Sequence, residues 1–416
     1  MKKNYIAILI SAGLTVCMLS CGKQGTSNPV SERISVEAAF NNPVKLKASD
    51  YFHKIRYIPL ETTDSCLLGG NPNVELVQDK LVVTTSQNQC YVFDKESGRF
   101  LGSVGRVGTG PGESPSLSGW LNHSAERIYF PNGRGSFVVY TLDGNYVGDL
   151  KTSFLSEGFT IIKHNYLDAS TFLAHCPSSA EQPDCIALFR DTTVIARFDT
   201  HGNNQSTIMN PENIESIAIE TRNSGGSKFM YVKYKDGIES SINMISGNPF
   251  WHVGEDVYFK EAFNDTIYQV GADGLRFARV FDFGSFRWDP ADRNNTEKDQ
   301  GIYPTDIYEN KDIILFRFIV NLYHLDKRVP YNGIFNKSTG EVKVSLYDDE
   351  IENDLAHFLP LQPTHVSPSG EFAQLIPVEK VTTWFEEHAD ISALPDDVKA
   401  LKRVGEEDNP VVVIVE

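Results

Sequence analysis

The sequence predicts an all-β fold, a six-bladed β-propeller with short helical insertions near its C-terminus. The first observation is a recurring pattern of two β-rich runs joined by a turn built on Asp, Lys or Gly. The second is the scarcity of helical periodicity along most of the chain. The third is a β-branched run at 411–415, which can pair with strand-like sequence near the N-terminus. These features are typical of a closed ring of small sheets.

Six hairpins carry the repeat, and they recur at spacings of roughly 38 to 64 residues, which suit one four-stranded blade each. The turns "LDG", "KDG" and "ADG" favour hairpins because Gly adopts the positive φ that such turns require. Two further strands per blade are expected upstream of the hairpin, as in "VELVQDKLVVTTS" (74–86) before the first. The hairpins are 91–105, 138–150, 186–198, 230–244, 267–281 and 331–346.

Helical periodicity is found mainly in "VEKVTTWFEEH" (378–388) and "DDVKALKRV" (396–404). The polar run "WDPADRNNTEKDQ" (288–300) is interpreted as an insertion between blades. Strand-like sequence at 34–61 and the run at 411–415 are expected to share one sheet, because this pairing closes the ring and leaves no long open edge.

The N-terminus has the layout of a secretory signal peptide. Lys2 and Lys3 precede a mostly apolar stretch at 5–19, which is shorter than the about 20 residues of a membrane span. The stretch ends in "MLSC" (18–21), which resembles the lipobox of bacterial lipoproteins with Cys21 as the lipid acceptor. An ordinary cleaved signal peptide, in which Cys21 is incidental, is the alternative interpretation.

Three segments follow from this interpretation: a lipoprotein signal peptide (1–20), a flexible polar tether after the lipidated cysteine (21–33), and a single propeller domain (34–416). No later stretch is apolar enough to span a bilayer. The predicted location is the cell envelope, anchored to a membrane by the N-terminal lipid. The periplasmic side is favoured over the cell surface because no acidic residue directly follows Cys21 in "CGKQGTSN".

Export would place the remaining cysteines in an oxidising compartment, where disulfides are favoured. The predicted pairs are Cys176–Cys185, which spans "CPSSAEQPDC", and Cys66–Cys90, which would join neighbouring strands. Four free, buried thiols are the alternative. The absence of CxxC argues against a thiol-redox site or a structural zinc knot.

The chain is acidic, with 55 Asp and Glu against 38 Lys and Arg and a formal net charge of −17 at pH 7. Removal of residues 1–20 makes the charge more negative, because that segment carries Lys2 and Lys3. The acidic residues are scattered along the sequence. Such a surface repels phosphate backbones, so nucleic acid is not an expected partner.

Four stretches resemble landmarks of the six-bladed β-propeller lipoproteins of Bacteroidota, which are similar in architecture to NHL-repeat propellers. They occur in the family's order and cover most of the chain after the tether. The resemblance implies the fold and export, but most members have no assigned activity, so it implies no catalytic residue. The stretches are "IRYIPLET" (55–62), "VGRVGTGPGE" (104–113), "FNDTIYQV" (263–270) and "EEDNPVVVIV" (406–415).

The Gly-rich loop "GRVGTGPGE" (105–113) invites comparison with phosphate-binding loops. A Walker loop ends in Gly-Lys-Ser/Thr, whereas this loop ends in Glu113, a negative charge where a phosphate requires a positive one. The loop is therefore predicted to join two blades, with Glu113 accepting backbone N–H bonds inside it. A functional alternative is that Arg106 and Glu113 contact a ligand at the mouth of the channel.

The ten histidines are dispersed and form no HxH or HExxH pair. A propeller can nevertheless bring distant histidines together on its axis, and His252 and His324 are the best candidates because they lie in strand-like sequence. The alternative function is therefore an exported metal-dependent lyase or hydrolase with its site on the propeller axis. No other cofactor is implied, and the absence of GxSxG leaves a serine-hydrolase site unsupported.

Three tryptophans near expected loops, Trp120, Trp251 and Trp288, could form a stacking surface for a sugar or peptide, with core packing as the alternative. A stiff ring with variable loops is a scaffold suited to recognition. The first functional prediction is thus a membrane-anchored propeller that binds a protein, peptide or glycan at one face of the ring.

Overall fold

The structure is a computed structural model that describes residues 32–133, 135–152, 163–176, 184–200, 214–221, 228–235, 241–244, 248–289, 300–322 and 327–416. The predicted signal peptide (1–20), Cys21, nearly all of the tether (21–33) and His324 lie outside the described residues. Within the described ranges, no helix is both long enough and apolar enough to cross a membrane.

Six antiparallel sheets of four strands form the ring, which confirms the predicted six-bladed propeller. The sheets are named blades 1 to 6 here, and their strands are given from the central channel outwards. Blade 1 contains Asn73–Val77, Lys80–Thr84, Cys90–Asp94 and Phe100–Ser103. Blade 2 contains Trp120–Asn122, Arg127–Pro131, Ser136–Thr141 and Tyr146–Lys151. Blade 3 contains Lys163–Tyr166, Phe172–Cys176, Cys185–Arg190 and Thr193–Asp199.

The second half of the ring follows the same plan, except that the outermost strand of blade 6 comes from the N-terminal part of the chain. Blade 4 contains Phe250–Val253, Asp256–Phe259, Thr266–Gly271 and Gly274–Asp282. Blade 5 contains Tyr303–Glu309, Ile313–Val320, Val329–Asn336 and Val342–Leu346. Blade 6 contains His365–Val366, Phe372–Ile376, Val411–Val415 and, as its outermost strand, Ile55–Pro59.

Blade 6 closes the ring by combining strands from distant parts of the chain. Val411–Val415 pairs antiparallel with Phe372–Ile376 on one side and with Ile55–Pro59 on the other. All five residues of the Val411–Val415 strand are buried. The expectation that 411–415 shares a sheet with an N-terminal strand is therefore confirmed.

The predicted hairpin at 230–244 does not belong to a blade. Lys228–Tyr234 and Ser241–Met244 join Ile214–Thr221 in a separate three-stranded sheet, inserted between blades 3 and 4. The sixth blade is instead the sheet that closes the ring, blade 6. The predicted number of blades was therefore right, but the assignment of the hairpin 230–244 to a blade was wrong. The reason is that a hairpin pattern reports local pairing and not which sheet packs in the ring.

The segment before Ile55–Pro59 covers outer edges of the ring. Arg33–Ser35 adds a fifth, parallel strand to blade 4 through Gly274–Asp282. The short helix Glu37–Phe40 follows, and the Val44 N–H then donates to the carbonyl of Val344 in blade 5 at 2.8 Å. Leu46–Lys47 pairs with Ile351–Glu352. Covering these strand edges protects them from pairing with other chains.

Two α-helices are inserted between the second and third strands of blade 6. They are Val378–Glu387 and Asp396–Ala400, which confirms the helices predicted at 378–388 and 396–404. Their buried residues Val381 and Val398 pack in the core cluster that joins blades 5 and 6. Short 3₁₀ helices occur at Ala48–Asp50, Gly284–Phe286, Tyr347–Asp349 and Leu401–Arg403.

The hydrophobic core consists of clusters between successive blades. In blade 1, Leu81 and Val83 pack with residues of blade 6, whereas Val82 between them packs with residues of blade 2. The second strand of blade 1 is thus buried on both faces, and burial on both faces also explains the continuous apolar run "IILFRFIV" of the second strand of blade 5. Because burying one large apolar side chain contributes about 1.5–3 kcal/mol, these contacts are the main force that holds the ring together.

Candidate functional site

The first strands of the six blades surround a central channel, which contains a cavity of about 370 Å³. This volume lies within the range of about 300–1,000 Å³ typical of small-molecule sites. Side chains from every blade reach the cavity, and the polar ones among them differ in chemistry. They are Asn73, Glu75, His123, Asn165, Tyr166, Asn248, His252, Lys260, Glu261, Thr305, Asp306, Tyr308, Thr364 and His365.

Glu75, His123 and His365 meet on one wall of the channel. Glu75 Oε2 lies 3.8 Å from His123 Nε2. Burial raises the pKa of Glu75, but the neighbouring His123 and His365 side chains outweigh this effect, so the pKa falls below its usual value. His365 Nε2 accepts the Leu76 N–H at 3.1 Å, and burial lowers the pKa of His365 to about 4. The wall therefore presents a carboxylate beside a neutral imidazole at pH 7.

His252, Asn165 and Tyr166 form a second polar group where blades 3 and 4 meet. His252 Nε2 lies 2.8 Å from Asn165 Oδ1, and its ring stacks on Tyr166 with centroids 4.1 Å apart. Burial, together with the charge of His123, lowers the pKa of His252 to about 3. The neutral ring donates its Nε2–H to Asn165, which leaves Nδ1 free to accept a hydrogen bond.

Three of the residues singled out in the sequence, Trp120, Trp251 and His252, line this cavity. The Trp120 indole stacks on Tyr129 with centroids 4.1 Å apart. The Trp251 indole N–H donates to Glu309 Oε2 at 2.8 Å. Both indoles are therefore fixed in orientation and contribute apolar surface to the cavity wall.

Trp288 lies elsewhere, which corrects its expected place near the mouth. It is 5 % exposed and belongs to a core cluster with Tyr303, Ile319 and Leu322. Its ring meets Phe263 edge-on at 5.5 Å. Trp288 therefore packs in the core, which was the alternative interpretation of this residue.

The Gly-rich loop joins the outer strand of blade 1 to the inner strand of blade 2, as predicted. Glu113 Oε2 accepts the Gly110 N–H at 2.9 Å, and the Ser114 N–H donates to the Arg106 carbonyl at 2.9 Å. Gly112 has a φ of 73°, a conformation that favours glycine. The expected bond from the loop backbone to Glu113 is confirmed. Neither Arg106 nor Glu113 lines the cavity in the described part of the chain.

All four cysteines after the tether are free and buried in the structure, so neither predicted disulfide is formed in it. The Cys66 thiol donates to the Glu61 carbonyl at 3.2 Å. Cys176 and Cys185 lie directly opposite each other in paired strands of blade 3. Their mutual hydrogen bond raises the pKa of Cys176 and, with the nearby Arg197, lowers the pKa of Cys185 to about 6.

Among the described residues, the strands that surround the channel bring no three metal-ligating atoms within 4.8 Å of one another. In the described ranges, the group of three His, Cys, Asp or Glu side chains whose ligating atoms lie within 4.8 Å of one another is His175, Asp184 and Glu261. This group lies between blades 3 and 4, beside the axis. The axial metal site of the alternative function, which named His252 and His324, is therefore not supported by the described residues.

A buried ion cluster lies on the other side of blade 4, where that blade meets blade 5. Glu309 Oε1 is 2.7 Å from Arg279 Nη1 and 2.6 Å from Lys337 Nζ. The Trp251 indole N–H donates to the second oxygen, so the Glu309 carboxylate has two cations beside one oxygen and a hydrogen-bond donor on the other. This cluster is a structural link between the two blades.

Sequence reasoning missed Glu75, His123 and His365. These side chains come from short inner strands, and His365–Val366 has only two residues. A signal exists only after the repeats are aligned, because each residue lies on or directly after the first strand of its four-stranded unit. The hairpins found in the sequence correspond mostly to the outer strands, which do not reach the channel.

Comparisons with known proteins agree with this architecture. A candidate exported protein from Bacteroides fragilis NCTC 9343 matches with a TM-score of 0.63 and 17% identity, over 92% of this chain and 99% of that one. Weaker matches are the designed protein Ika8 (TM-score 0.30, 12% identity, 70% of this chain and 100% of that one) and the β-propeller domain of Cps50 (Swd1) from Myceliophteria thermophila (TM-score 0.34, 11% identity, 77% and 95%).

A search of curated proteins finds no match. The model of one protein family, described as a domain of unknown function and designated DUF4934, matches residues 31–416. The match includes all six blades and the segment that covers their outer edges. The protein therefore belongs to the DUF4934 family.

Proposed function

We propose that the protein is an exported, ring-shaped binding protein that holds a short neutral glycan in its central channel. The observation that carries this proposal is the convergence of Glu75, His123, Tyr166, His252 and His365 on one cavity of about 370 Å³. Residues from six separate blades supply this lining, so a rigid ring fixes their relative positions. Preformed polar groups inside a rigid cavity are typical of ligand sites.

The chemistry of the cavity wall favours a neutral, hydroxyl-rich ligand. Low pKa values keep His252 and His365 uncharged at pH 7, so these rings offer hydrogen-bond donors and acceptors without charge. The ionised Glu75 disfavours an anionic ligand. Trp120 and Tyr166 line the cavity beside the polar groups and add aromatic surface. Alternating hydroxyl and C–H surfaces of a sugar match such a wall.

Calorimetric titration of the purified full-length protein with neutral mono- to tetrasaccharides tests the proposal. We expect binding of at least one saccharide, and we expect His252→Ala and His123→Gln each to weaken it at least tenfold. His388→Ala is the matched control, because His388 is exposed directly after the helix Val378–Glu387 and does not line the cavity. Its affinity should equal that of the unmodified protein.

Two results would contradict a glycan ligand. One is the absence of binding to every saccharide tested. The other is binding of tri- or tetrapeptides, but not of saccharides, that is lost in His252→Ala; this outcome would keep the channel site and replace the glycan with a peptide. Circular dichroism of each variant checks that the ring is folded.

We also propose that the protein is carried to the cell envelope and anchored there by a lipid on Cys21, facing the periplasm. The signal-peptide layout of 1–20 supports export, and so does the description of its Bacteroides fragilis structural neighbour as a candidate exported protein. Cells fed an alkyne palmitate should label the unmodified protein and not Cys21→Ser. Protease treatment of intact cells should spare the protein; its loss would indicate the cell surface.

A further inference from the structure

A buried group of ligating side chains lies between blades 3 and 4, beside the channel wall. His175 is on the second strand of blade 3, Asp184 directly precedes the third strand, and Glu261 follows the second strand of blade 4. Their exposed fractions are 8 %, 0 % and 1 %. The ligating atoms of the three side chains lie within 4.8 Å of one another. Two chain segments of one blade and one of its neighbour thus meet at a single point.

The hydrogen bonds within this group leave a buried acceptor without a donor. Glu261 Oε1 accepts from the Thr200 hydroxyl at 2.9 Å and lies 3.2 Å from His175 Nε2. Glu261 Oε2 is buried, and no described residue donates a hydrogen bond to it. An unsatisfied buried carboxylate oxygen carries a large desolvation penalty, which a positive ligand would offset.

The group places two carboxylates beside one imidazole. Asp184 and Glu261 face each other, and the acid–base partner of Glu261 in the structure is an imidazole. The neighbouring Lys260 directs its ammonium to the backbone carbonyl of Glu261, at 3.2 Å. A cation bound between the two carboxylates would offset their mutual repulsion.

We propose that His175, Asp184 and Glu261 bind one Zn²⁺ ion. Zinc takes imidazole nitrogen and carboxylate oxygen at about 2.0–2.2 Å, and atoms on one tetrahedral ion are therefore about 3.4 Å apart. Ligating atoms already within 4.8 Å need only small side-chain adjustments to reach that geometry. The site lies beside the axis and uses none of the five residues that carry the glycan proposal, so it goes beyond that proposal.

The ion would act as a clamp between two blades. His175 and Asp184 belong to blade 3, whereas Glu261 belongs to blade 4 and also borders the channel cavity. Binding would therefore fix the wall of the cavity at this junction. The stability of the ring would then depend on metal concentration, because a ligand that binds only the folded state stabilises it.

Zinc uptake by the full-length protein tests the site. The protein is stripped with EDTA, desalted and titrated with Zn²⁺, with the bound metal counted by mass spectrometry and the melting temperature recorded. We expect one tightly bound zinc per chain and a rise in melting temperature. Glu261→Gln and His175→Gln should each weaken binding at least about 100-fold, because removing a direct ligand exceeds the 10- to 100-fold effect of an outer partner.

Glu371→Gln is the matched control for these variants. The Glu371 carboxylate is also shielded from solvent, but it is held by Lys95 at 2.9 Å and Arg56 at 3.3 Å. The Glu371→Gln variant should bind zinc as the unmodified protein does. The unmodified protein decides the outcome even if a variant fails to fold. Failure to take up Zn²⁺, or Mn²⁺ as a second probe, would overturn the proposal in favour of a shared proton, as would uptake that Glu261→Gln and His175→Gln leave unchanged.

Discussion

Glu309 and Glu261 are two carboxylates at equal depth whose surroundings differ in charge. Both are almost fully buried, at 0 % and 1 % exposed, and each joins a pair of adjacent blades. Glu309 contacts Arg279, Lys337 and the Trp251 indole, so its charge is balanced within the protein. Glu261 contacts an imidazole and a hydroxyl and faces a second carboxylate. Burial alone therefore does not reveal whether an acidic residue is a structural link or a site that requires a ligand.

The largest expected effect tests this difference directly. Glu309→Gln should lower the free energy of unfolding by about 3–5 kcal/mol, because it leaves Arg279 and Lys337 buried without their counter-charge. Glu261→Gln, measured in EDTA, should lower it by less than about 1.5 kcal/mol, since it removes one of two facing carboxylates and keeps an acceptor for Thr200. Urea unfolding at pH 7 provides both values.

Glu352→Gln is the control for these two variants, because Glu352 is half exposed and 3.9 Å from Lys47. Its effect should stay below about 1 kcal/mol, as is usual for an exposed ion pair. Equal losses for Glu309→Gln and Glu261→Gln would remove the distinction between the two carboxylates.

The second expected effect concerns Cys176 and Cys185, which directly follow His175 and Asp184 in the chain. Directly opposed residues in antiparallel strands have Cα separations of about 4.5–5.5 Å, which a disulfide can span. We expect the purified, oxidised protein to contain this disulfide, and its reduction to lower the free energy of unfolding by about 2.5–3 kcal/mol, the value for closing a ten-residue loop.

Thiol counting in denaturant measures the predicted disulfide, and Cys66→Ser serves as the control. On oxidation, the number of reactive thiols should fall by two in the unmodified protein. In Cys176→Ser it should stay unchanged. Four reactive thiols in the oxidised protein would contradict the disulfide. The disulfide would also fix the relative position of the two chain segments that carry His175 and Asp184.

A third and smaller effect concerns buried groups that carry no charge. The pKa of His252 is lowered to about 3 in the folded ring from 6.5. The unfolded chain therefore binds a proton that the folded ring does not, and stability falls as the pH drops below 6.5. His252→Gln removes this contribution. Between pH 7 and pH 4.5, the free energy of unfolding should therefore fall by about 1–2 kcal/mol less in His252→Gln than in the unmodified protein.

Urea unfolding at the two pH values gives this difference, and the exposed His388→Gln provides the reference. His388→Gln should follow the unmodified protein at both values. The groups that face His252 are His123, Tyr166 and Asn165. An identical pH dependence for His252→Gln and the unmodified protein would show that the pKa of His252 is the same in the folded ring and in the unfolded chain.

The smallest expected effect is at Glu113, a partly exposed carboxylate that accepts one backbone N–H from Gly110. Glu113→Gln keeps an acceptor at that position, so the free energy of unfolding should fall by about 0.5–1 kcal/mol. Thermal unfolding is sufficient to detect it. A loss as large as that of Glu309→Gln would mean that the blade junction, and not the buried cluster, limits stability.

The fold was largely predictable because its signals are local. Gly-containing turns and runs of β-branched residues identify hairpins, and the period of 378–388 identifies a helix. The assignment of 230–244 to a blade failed because the same local signals occur in the inserted sheet. Whether a sheet joins the ring depends on which residues face its neighbours, and a single repeat does not contain that information.

The site was only partly predictable because its contacts connect distant parts of the sequence. Trp120, Trp251 and His252 were recognised from their residue types. The Leu76–His365 bond joins residues 289 positions apart, and the His175–Glu261 contact joins residues 86 apart. Such pairs follow from the number of strands per blade and the order of the blades, and no spacing motif marks them.

The position of Val411–Val415 between two other strands of blade 6 has a consequence for the order of folding. Every other described strand precedes it in the chain, so the early strand Ile55–Pro59 lacks its partner until the C-terminal end of the chain folds. Blades 1 to 5 can form before this pairing, but the ring stays an open arc. A chain cut before residue 411 therefore displays an unpaired apolar edge, which a quality-control protease can distinguish from the finished ring.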